Sequence, residues 1–305
     1  MTKNTVICLM GLTGTGKTAL AMSLYDKLPL EIINVDSALI YQGMDIGTAK
    51  PELALLEKYP HHLVNIISPW QSYSAAAFVK DVNILIDEIQ SRGKQPLLVG
   101  GTMMYFKALQ QGLNDVPDSQ PAIRDKLNKE REQCGLESLY KRLQECDPIT
   151  ATRLEANDSQ RVMRALEIFE ISGLAMSEFL AKKVNSVKHD FFNIALVPDD
   201  RKKLHGLIEK RFEIMLDQGF VNEVKKLKDE GLTLEQTSMR CVGYKQMLEY
   251  LDGDCSYEEM QQKAIAATRQ LAKRQHTWLR KWPELHSFDP WEPNLLEDVL
   301  KLVSR

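Results

Sequence analysis

Gly11, Gly16, Lys17 and Thr18 stand at the spacing G-x-x-x-x-G-K-[ST] in GLTGTGKT, between the apolar run VICLM and a helical pattern that starts at Lys17. Residues of these types at this spacing hold phosphate. Glycines let the backbone N–H groups of Gly11, Leu12, Thr13, Gly14, Thr15 and Gly16 curl round an anion, and the helix that follows adds its positive end. Lys17 brings charge to an outer phosphate, and the Thr18 hydroxyl is suited to hold Mg²⁺. Ligands of open α/β sheets lie beyond the carboxyl ends of the strands. Two other loops are therefore expected to face the same phosphates, DSALIY beginning at Asp36 and GGTMMY around Thr102. Many P-loop ATPases end a strand here in an acid, but this one ends in Gly100-Gly101-Thr102 and the acid is on the other strand. Asp36 reads either as a Mg²⁺-shell or capping carboxylate or as a general base for an acceptor. Thr102 reads either as the N-cap of MMYFKAL or as a site hydroxyl.

A second set of residues lies in KAIAATRQLAKRQHTWLRKW, Lys263 to Trp282. At helical spacing Arg269, Lys273, His276 and Arg280 form one stripe, and Ala264, Ala267, Leu271, Trp278 and Trp282 the opposite face. From Lys263 to Lys281 there is no Asp or Glu, although the chain's net charge is −3. A solvated helix face normally mixes signs, so the stripe is read as a candidate for nucleic-acid backbone phosphates. An acidic membrane surface suits it less well, because the opposite face is narrow and alanine-rich. Upstream, MRCVGYKQM gathers Arg240, Gly243, Tyr244 and Lys245. Arg211 in EKRFEIML has, from spacing alone, the look of a surface arginine.

These residues need a scaffold that carries them to one place. The 305 residues, 44% hydrophobic and 27% charged, allow one large core with a satellite. TVICLM, EIINVD, HLVNII, PLLVGG and FNIALV read as buried parallel strands with helical patterns between them, the signature of a doubly wound α/β sheet. The alternation stops after about residue 114. Up to about Lys188 there are only amphipathic helices, AIRDKLNKEREQCGLESLYKRLQECD and SQRVMRALEIFEIS, punctuated by prolines. The expected architecture is thus a P-loop α/β core over 1–117 and 189–305, a parallel sheet flanked by helices, with an all-helical insertion over 118–188. No stretch reaches membrane-span length and the N-terminal apolar run is short for a signal peptide. Five cysteines without CxxC spacing suit reduced thiols in a cytoplasmic protein and give no zinc set. No heptad seam is visible, so a monomer is the default. His61 and His62 receive no role.

In order along the chain, GLTGTGKT, VDSALIYQGMDIGTAKP, PLLVGGTMMYFKAL, NDSQRVMRALEI, RFEIMLDQGF, RCVGYKQM and ATRQLAKRQHTWLR resemble the bacterial tRNA dimethylallyltransferase (tRNA isopentenyltransferase) family. The likeness runs over nearly the whole chain, and DSALIYQGMDIGTAKP and RCVGYKQ are far more specific than the P-loop. It implies transfer of a dimethylallyl group from dimethylallyl pyrophosphate to N6 of the adenosine 3′ of the anticodon, in tRNAs reading codons that begin with U. The loop's phosphates would be the donor's, leaving as pyrophosphate. Lys17, Mg²⁺ at Thr18 and Arg211 would stabilise the leaving group, Asp36 would accept the N6 proton, and Thr102 would position the donor. The resemblance extends contact with the tRNA anticodon stem-loop to Asp36, Ser37, Ala38 and Leu39, and to Gln160, Arg161, Val162, Met163 and Arg164. It extends it further to Arg240, Cys241, Val242, Gly243, Tyr244 and Lys245, and to Lys273, Arg274, Gln275, His276, Thr277, Trp278, Leu279 and Arg280. Thr102 and Arg124 would also touch RNA, the helical insertion would close over the stem-loop, and the target adenine would leave its stack.

Without the resemblance, a P-loop kinase of small metabolites ranks equally with an RNA-modifying transferase. The kinase leaves the basic helix idle. A prenyltransferase of free adenine nucleotides would need neither that helix nor the insertion, and a non-catalytic RNA-binding ATPase would not need Asp36 and Thr102.

Overall fold

The computed structural model describes residues 5–182 and 188–304, so 183–187, where the expected insertion nears its end, lies outside the described residues. The chain forms two compact units, one of Met1–Gln110 with Val187–Arg305 and one of Gln111–Ser186. The first unit starts β1 (Val6–Gly11), α1 (Lys17–Tyr25), β2 (Leu30–Val35), α2 (Leu53–Lys58), β3 (His61–His62), α3 (Ala75–Ser91), β4 (Gln95–Gly100) and α4 (Met103–Gln111). The second holds α5 (Pro121–Cys146), α6 (Pro148–Ala151), α7 (Ser159–Ser172) and α8 (Met176–Ala181). The chain then returns to the first with β5 (Phe191–Leu196), α9 (Arg201–Asp217), α10 (Phe220–Asp229), α11 (Tyr244–Leu251), α12 (Tyr257–Leu279), β6 (Leu285–Phe288) and α13 (Leu295–Val303).

The sheet has the order β3-β2-β4-β1-β5-β6, and every pairing is parallel. Period-two alternation sorts its residues. Ile7, Leu9, Ile32, Leu97 and Ile194 pack with Leu20 and Leu24 of α1 and Val299 of α13. Cys8, Met10, Ile33, Val35 and Leu98 pack with Phe78, Val82 and Ile86 of α3, Phe106 of α4 and Ala272 of α12. Both faces are covered, which is why these strands read as continuous apolar runs. A third cluster joins Ile40, Tyr41 and Met44 to Phe212, Phe220, Val224, Met239, Tyr244 and Met247, so the loop after β2 is seated on the helices after β5. Among the described residues no helix is long and apolar enough to cross a membrane.

Three sequence expectations are corrected. HLVNII is not a strand beyond His62, because Leu63 and Asn65 take positive φ (62° and 57°) and turn the chain out of the ladder. Only an isolated bridge from Ile67 to Tyr41 follows. The edge strand LHSF was not anticipated: its two middle residues are exposed, its end residues half-buried, and it lacks the apolar run of the inner strands. The long helix of the second unit is broken at Gly135 (φ 79°, ψ 163°), which folds its two arms around a core of Leu127, Leu139, Leu143, Val162 and Leu166. Among the described residues of that unit there is no strand.

Candidate active site

The register sets Met10, Val35, Gly100 and Ala195 level at the carboxyl edge of the sheet, with β4 between β2 and β1. The loops after β1, β2 and β4 must therefore emerge side by side. Gly100 is required there, since a Cβ on it would fall 2.1 Å from the carbonyl oxygen of Val35. The Thr102 N–H then donates to that same carbonyl at 3.1 Å.

In the phosphate loop Gly14 and Gly16 take φ of 81° and 78°, the left-handed region open to glycine. Lys17 Nζ donates to the carbonyls of Gly11 (3.0 Å) and Leu12 (2.6 Å), and Thr15 Oγ1 donates to Leu12 O at 2.8 Å. Burial pushes the Lys17 ammonium down to about 8; the charge of Asp36 opposes this and that of Arg211 adds to it. Arg211, on the inward face of α9, is likewise held below its ordinary value by burial against the opposing pull of Asp36. Lys17, Asp36 and Arg211 thus share one electrostatic field, although they are far apart in sequence. The cationic pair is ready for an anion of more than one charge.

Between pH 8 and 10.5 the unfolded chain carries more protons at Lys17 than the folded one, so stability rises with pH there. Below pH 8 the buried ammonium is a standing cost. Lys17→Met is accordingly expected to raise the melting temperature of the ligand-free protein at pH 7, with the gain shrinking towards pH 10.5. Equal shifts at both pH values in calorimetry would mean that the ammonium is fully solvated.

Asp36 is held at its backbone. Asn34, buried inside β2, accepts from Asp36 N (3.1 Å) and donates to Asp36 O (3.0 Å) and Leu63 O (3.1 Å). The carboxylate Oδ1 of Asp36 accepts Ala38 N at 2.9 Å. The Thr102 hydroxyl accepts from Ser37 N at 3.0 Å and donates to Ser37 Oγ at 3.3 Å. It therefore ties the two loops together, while the Thr102 carbonyl accepts Tyr105 N (2.9 Å) and Phe106 N (3.4 Å) at the start of α4. Cys241 completes this corner. Its thiol is pushed up to about 12 by burial first and by the charge of Asp36 second, so it stays protonated at neutral pH.

The loop that carries Asp36 is anchored further on by two residues the sequence did not single out. Glu223 of α10 accepts the N–H groups of Asp45 (2.9 Å), Ile46 (2.8 Å) and Gly47 (3.1 Å), together with the hydroxyl of Tyr244. Lys50 donates to Tyr41 O (2.7 Å), Asp45 Oδ1 (2.6 Å) and Asn65 Oδ1 (2.6 Å). This gives DIGTAK and RCVGYK a common physical role. A Cβ at Gly47 would fall 2.1 Å from the Phe220 ring and 2.6 Å from Tyr244, so the two stretches lock against each other.

A family model for IPP transferase matches residues 39–282. The chain belongs to the IPP transferase family. It is 52% identical to a tRNA dimethylallyltransferase of Neisseria meningitidis serogroup C, over 90% of this chain and 89% of that one. It resembles the solved tRNA isopentenylpyrophosphate transferase of Bacillus halodurans with a TM-score of 0.73 at 32% identity, covering 99% and 96% of the two chains. A eukaryotic dimethylallyltransferase solved acting on tRNA superposes with a TM-score of 0.84 at 28% identity, covering 99% of this chain and 79% of that one.

In this IPP transferase the four expected catalytic residues Lys17, Asp36, Thr102 and Arg211 gather around the carboxyl edge of the sheet. The stretches expected to contact RNA divide. Lys273, Arg274 and Thr277 are exposed on α12 and Arg280 at its C-cap, and Ser37, Ala38 and Leu39 are half-buried beside Asp36. Arg240 is exposed and donates to the carbonyls of Leu234 (2.6 Å) and Glu235 (3.1 Å), while Lys245 is exposed on α11. In the other unit Arg124, Gln160 and Arg161 are exposed, and Arg164 is held by Glu167 (2.9 Å) and Pro117 O (2.6 Å).

The remaining side chains are buried or half-buried. Val162 and Met163 lie in the core of the second unit. Tyr244 is buried edge-on against Phe220, so it offers no face to a base, and Gly243 beside it is buried too, while Val242 is half-buried. Leu279 is buried under the sheet. His276 is half-buried and held below its ordinary value by burial and by Arg201 and Arg280, which leaves it neutral at pH 7. Trp278 is half-buried, with Lys107 over its ring. Arg269, expected on the basic stripe, is partly buried and pairs with Glu209 of α9. Gln275 points inward as well: its seam on α12 is Met260, Ala264, Ala272, Gln275 and Leu279.

Proposed function

We propose that this chain transfers a dimethylallyl group from dimethylallyl pyrophosphate to N6 of the adenosine 3′-adjacent to the anticodon, in tRNAs reading U-starting codons. The observation that carries the reading is the shared field of Lys17, Asp36 and Arg211 at a phosphate loop, in a chain whose β4 ends in Gly-Gly-Thr. Two cations at the loop favour an anion that gains charge as it leaves, and the Asp36 carboxylate beside them would serve the acceptor.

In this reading the allylic C–O bond breaks and its electron pair departs with pyrophosphate, against Lys17, Arg211 and the loop N–H groups. The N6 lone pair forms the C–N bond, and the N6 proton passes to the Asp36 carboxylate. Among the described residues no three His, Cys, Asp or Glu side chains gather as metal ligands. A divalent cation would rest on the Thr18 hydroxyl and the donor's own phosphate oxygens, which suits Mg²⁺ with its retained waters. When bound it supplies further charge to the leaving group. The protein is proposed to work as a cytoplasmic monomer.

The test uses donor labelled in the prenyl chain, an unmodified anticodon stem-loop, free AMP and an ATP-hydrolysis control. Label in the RNA with little in AMP is the expected result. Label in AMP alone assigns the chain to free nucleotides, and ADP formation with a small acceptor assigns it to the kinases.

The exposed cations of α12 give a second prediction. Replacing Lys273 and Arg280 with alanine is expected to weaken stem-loop binding and to flatten its dependence on log salt by about one per charge removed. An unchanged slope in a salt titration would make the stripe a solvated face.

A further inference from the structure

α12 presents cations to solvent but sends one polar side chain the other way. Gln275 is 6% exposed, in the apolar seam that packs on the sheet. Its Oε1 accepts the N–H of Thr13 in the phosphate loop at 2.8 Å, and its Nε2 donates to the carbonyl of Gly101 at 2.9 Å. One amide therefore bridges the loop after β1 to the loop after β4. Gly101 makes room for it: a Cβ there would fall 2.3 Å from Nε2 of Gln275. Thr13 is followed by Gly14, whose left-handed conformation costs little to enter and little to leave. Lys17 and Thr15 tie Gly11 and Leu12 within the loop itself, so Gln275 is what attaches the next residue to the rest of the site.

We propose that Gln275 is a positioning residue for the donor's diphosphate, fixing the phosphate loop to the Gly101 loop from behind and taking no part in RNA contact. By holding the Thr13 N–H away from the anion, it sets which loop N–H groups turn towards it. The bridge reproduces a fixed cradle without ligand, so that binding does not have to order the loop. The inference rests on the loop being the donor's site, and the measurement below reads that site directly with inorganic pyrophosphate.

Gln275→Ala removes the bridge from one end. Gly101→Ala displaces it from the other, since the new methyl group takes the place of Nε2 while the backbone at Gly101 accepts alanine. Each single variant is expected to raise the Kd for pyrophosphate about tenfold in calorimetry. Each should raise KM for the donor similarly, with kcat within threefold, and leave stem-loop affinity without donor within twofold. The double variant should be no worse than the worse single one, because both changes remove the same bridge. Multiplying effects, or an unchanged pyrophosphate Kd in folded Gln275→Ala or Gly101→Ala protein, would overturn the proposal. So would a loss of stem-loop binding with pyrophosphate binding intact. Pyrophosphate binding that falls in the variants while wild-type protein fails to prenylate RNA would support the bridge and remove the transferase reading, so the two fail separately.

Discussion

Asp36→Asn is expected to lower prenyl transfer by about 10²–10⁴-fold, the usual contribution of a positioned general base, while stem-loop affinity stays within a few fold. The substitution is clean because the loop does not depend on the carboxylate's charge. Asn34 holds the Asp36 backbone at both its N–H and its carbonyl, and Thr102 holds Ser37. An asparagine oxygen can still accept the Ala38 N–H that Oδ1 takes in the native protein. Only the ability to take a proton is lost. Asp36→Ala should be as inactive, with some added loosening at Ala38. Single-turnover label transfer and stem-loop titration on the same preparations check this. Collapse of RNA affinity in Asp36→Asn would make the residue a structural cap and move the proton acceptor elsewhere.

The core was legible because its strands are buried on both faces, which writes apolar runs such as VICLM and PLLV directly into the sequence. The P-loop was legible because anion binding by backbone requires glycine at fixed positions. β6 and the end of β3 were not. Edge residues carry no apolar run, and Leu63 takes a positive φ that its side chain does nothing to announce. Arg211 shows the limit most clearly. Its spacing on α9 is ordinary, and what makes it part of the site is burial beside Lys17 and Asp36, a fact of tertiary structure. The basic helix was read as an apolar face against a cationic one, which holds for Ala264 and Lys273 but fails for Arg269, whose partner Glu209 lies on another helix.

Two signals were nevertheless available. Gln275 falls on the same stripe as Ala264 and Ala272, and a glutamine amid small apolar residues asks for buried partners. Asn34 interrupts the buried run from Ile32 to Val35 one residue before the strand's end, and such a side chain must bond to backbone close by. Both side chains bond to the backbone of the loops that carry Thr13, Gly101 and Asp36. Motif stretches taken whole as RNA contacts therefore include Gln275 and Tyr244, whose side chains are buried.

Glu223→Ala is expected to have the largest effect on stability. The carboxylate accepts three successive backbone N–H groups and the Tyr244 hydroxyl, and alanine leaves all four without this acceptor. Hydrogen bonds to a charged acceptor contribute about 1.5–3 kcal/mol each, but water reaches the exposed Asp45 end, so the net loss is about 3 kcal/mol or more. For a unit of this size that lowers the melting temperature by roughly 6–12 °C. Glu223→Gln should fall between, because one amide oxygen can replace only one carboxylate oxygen while its NH₂ opposes the other donors. The loop from Asp36 to Lys50 is pinned at its far end by this residue, so turnover should fall further than the folded fraction alone explains. Activity per folded molecule, measured well below the variant's melting temperature, separates the two effects. If it equals that of the native protein, Glu223 serves the fold only, and Asn34 and Thr102 are enough to hold Asp36 in place.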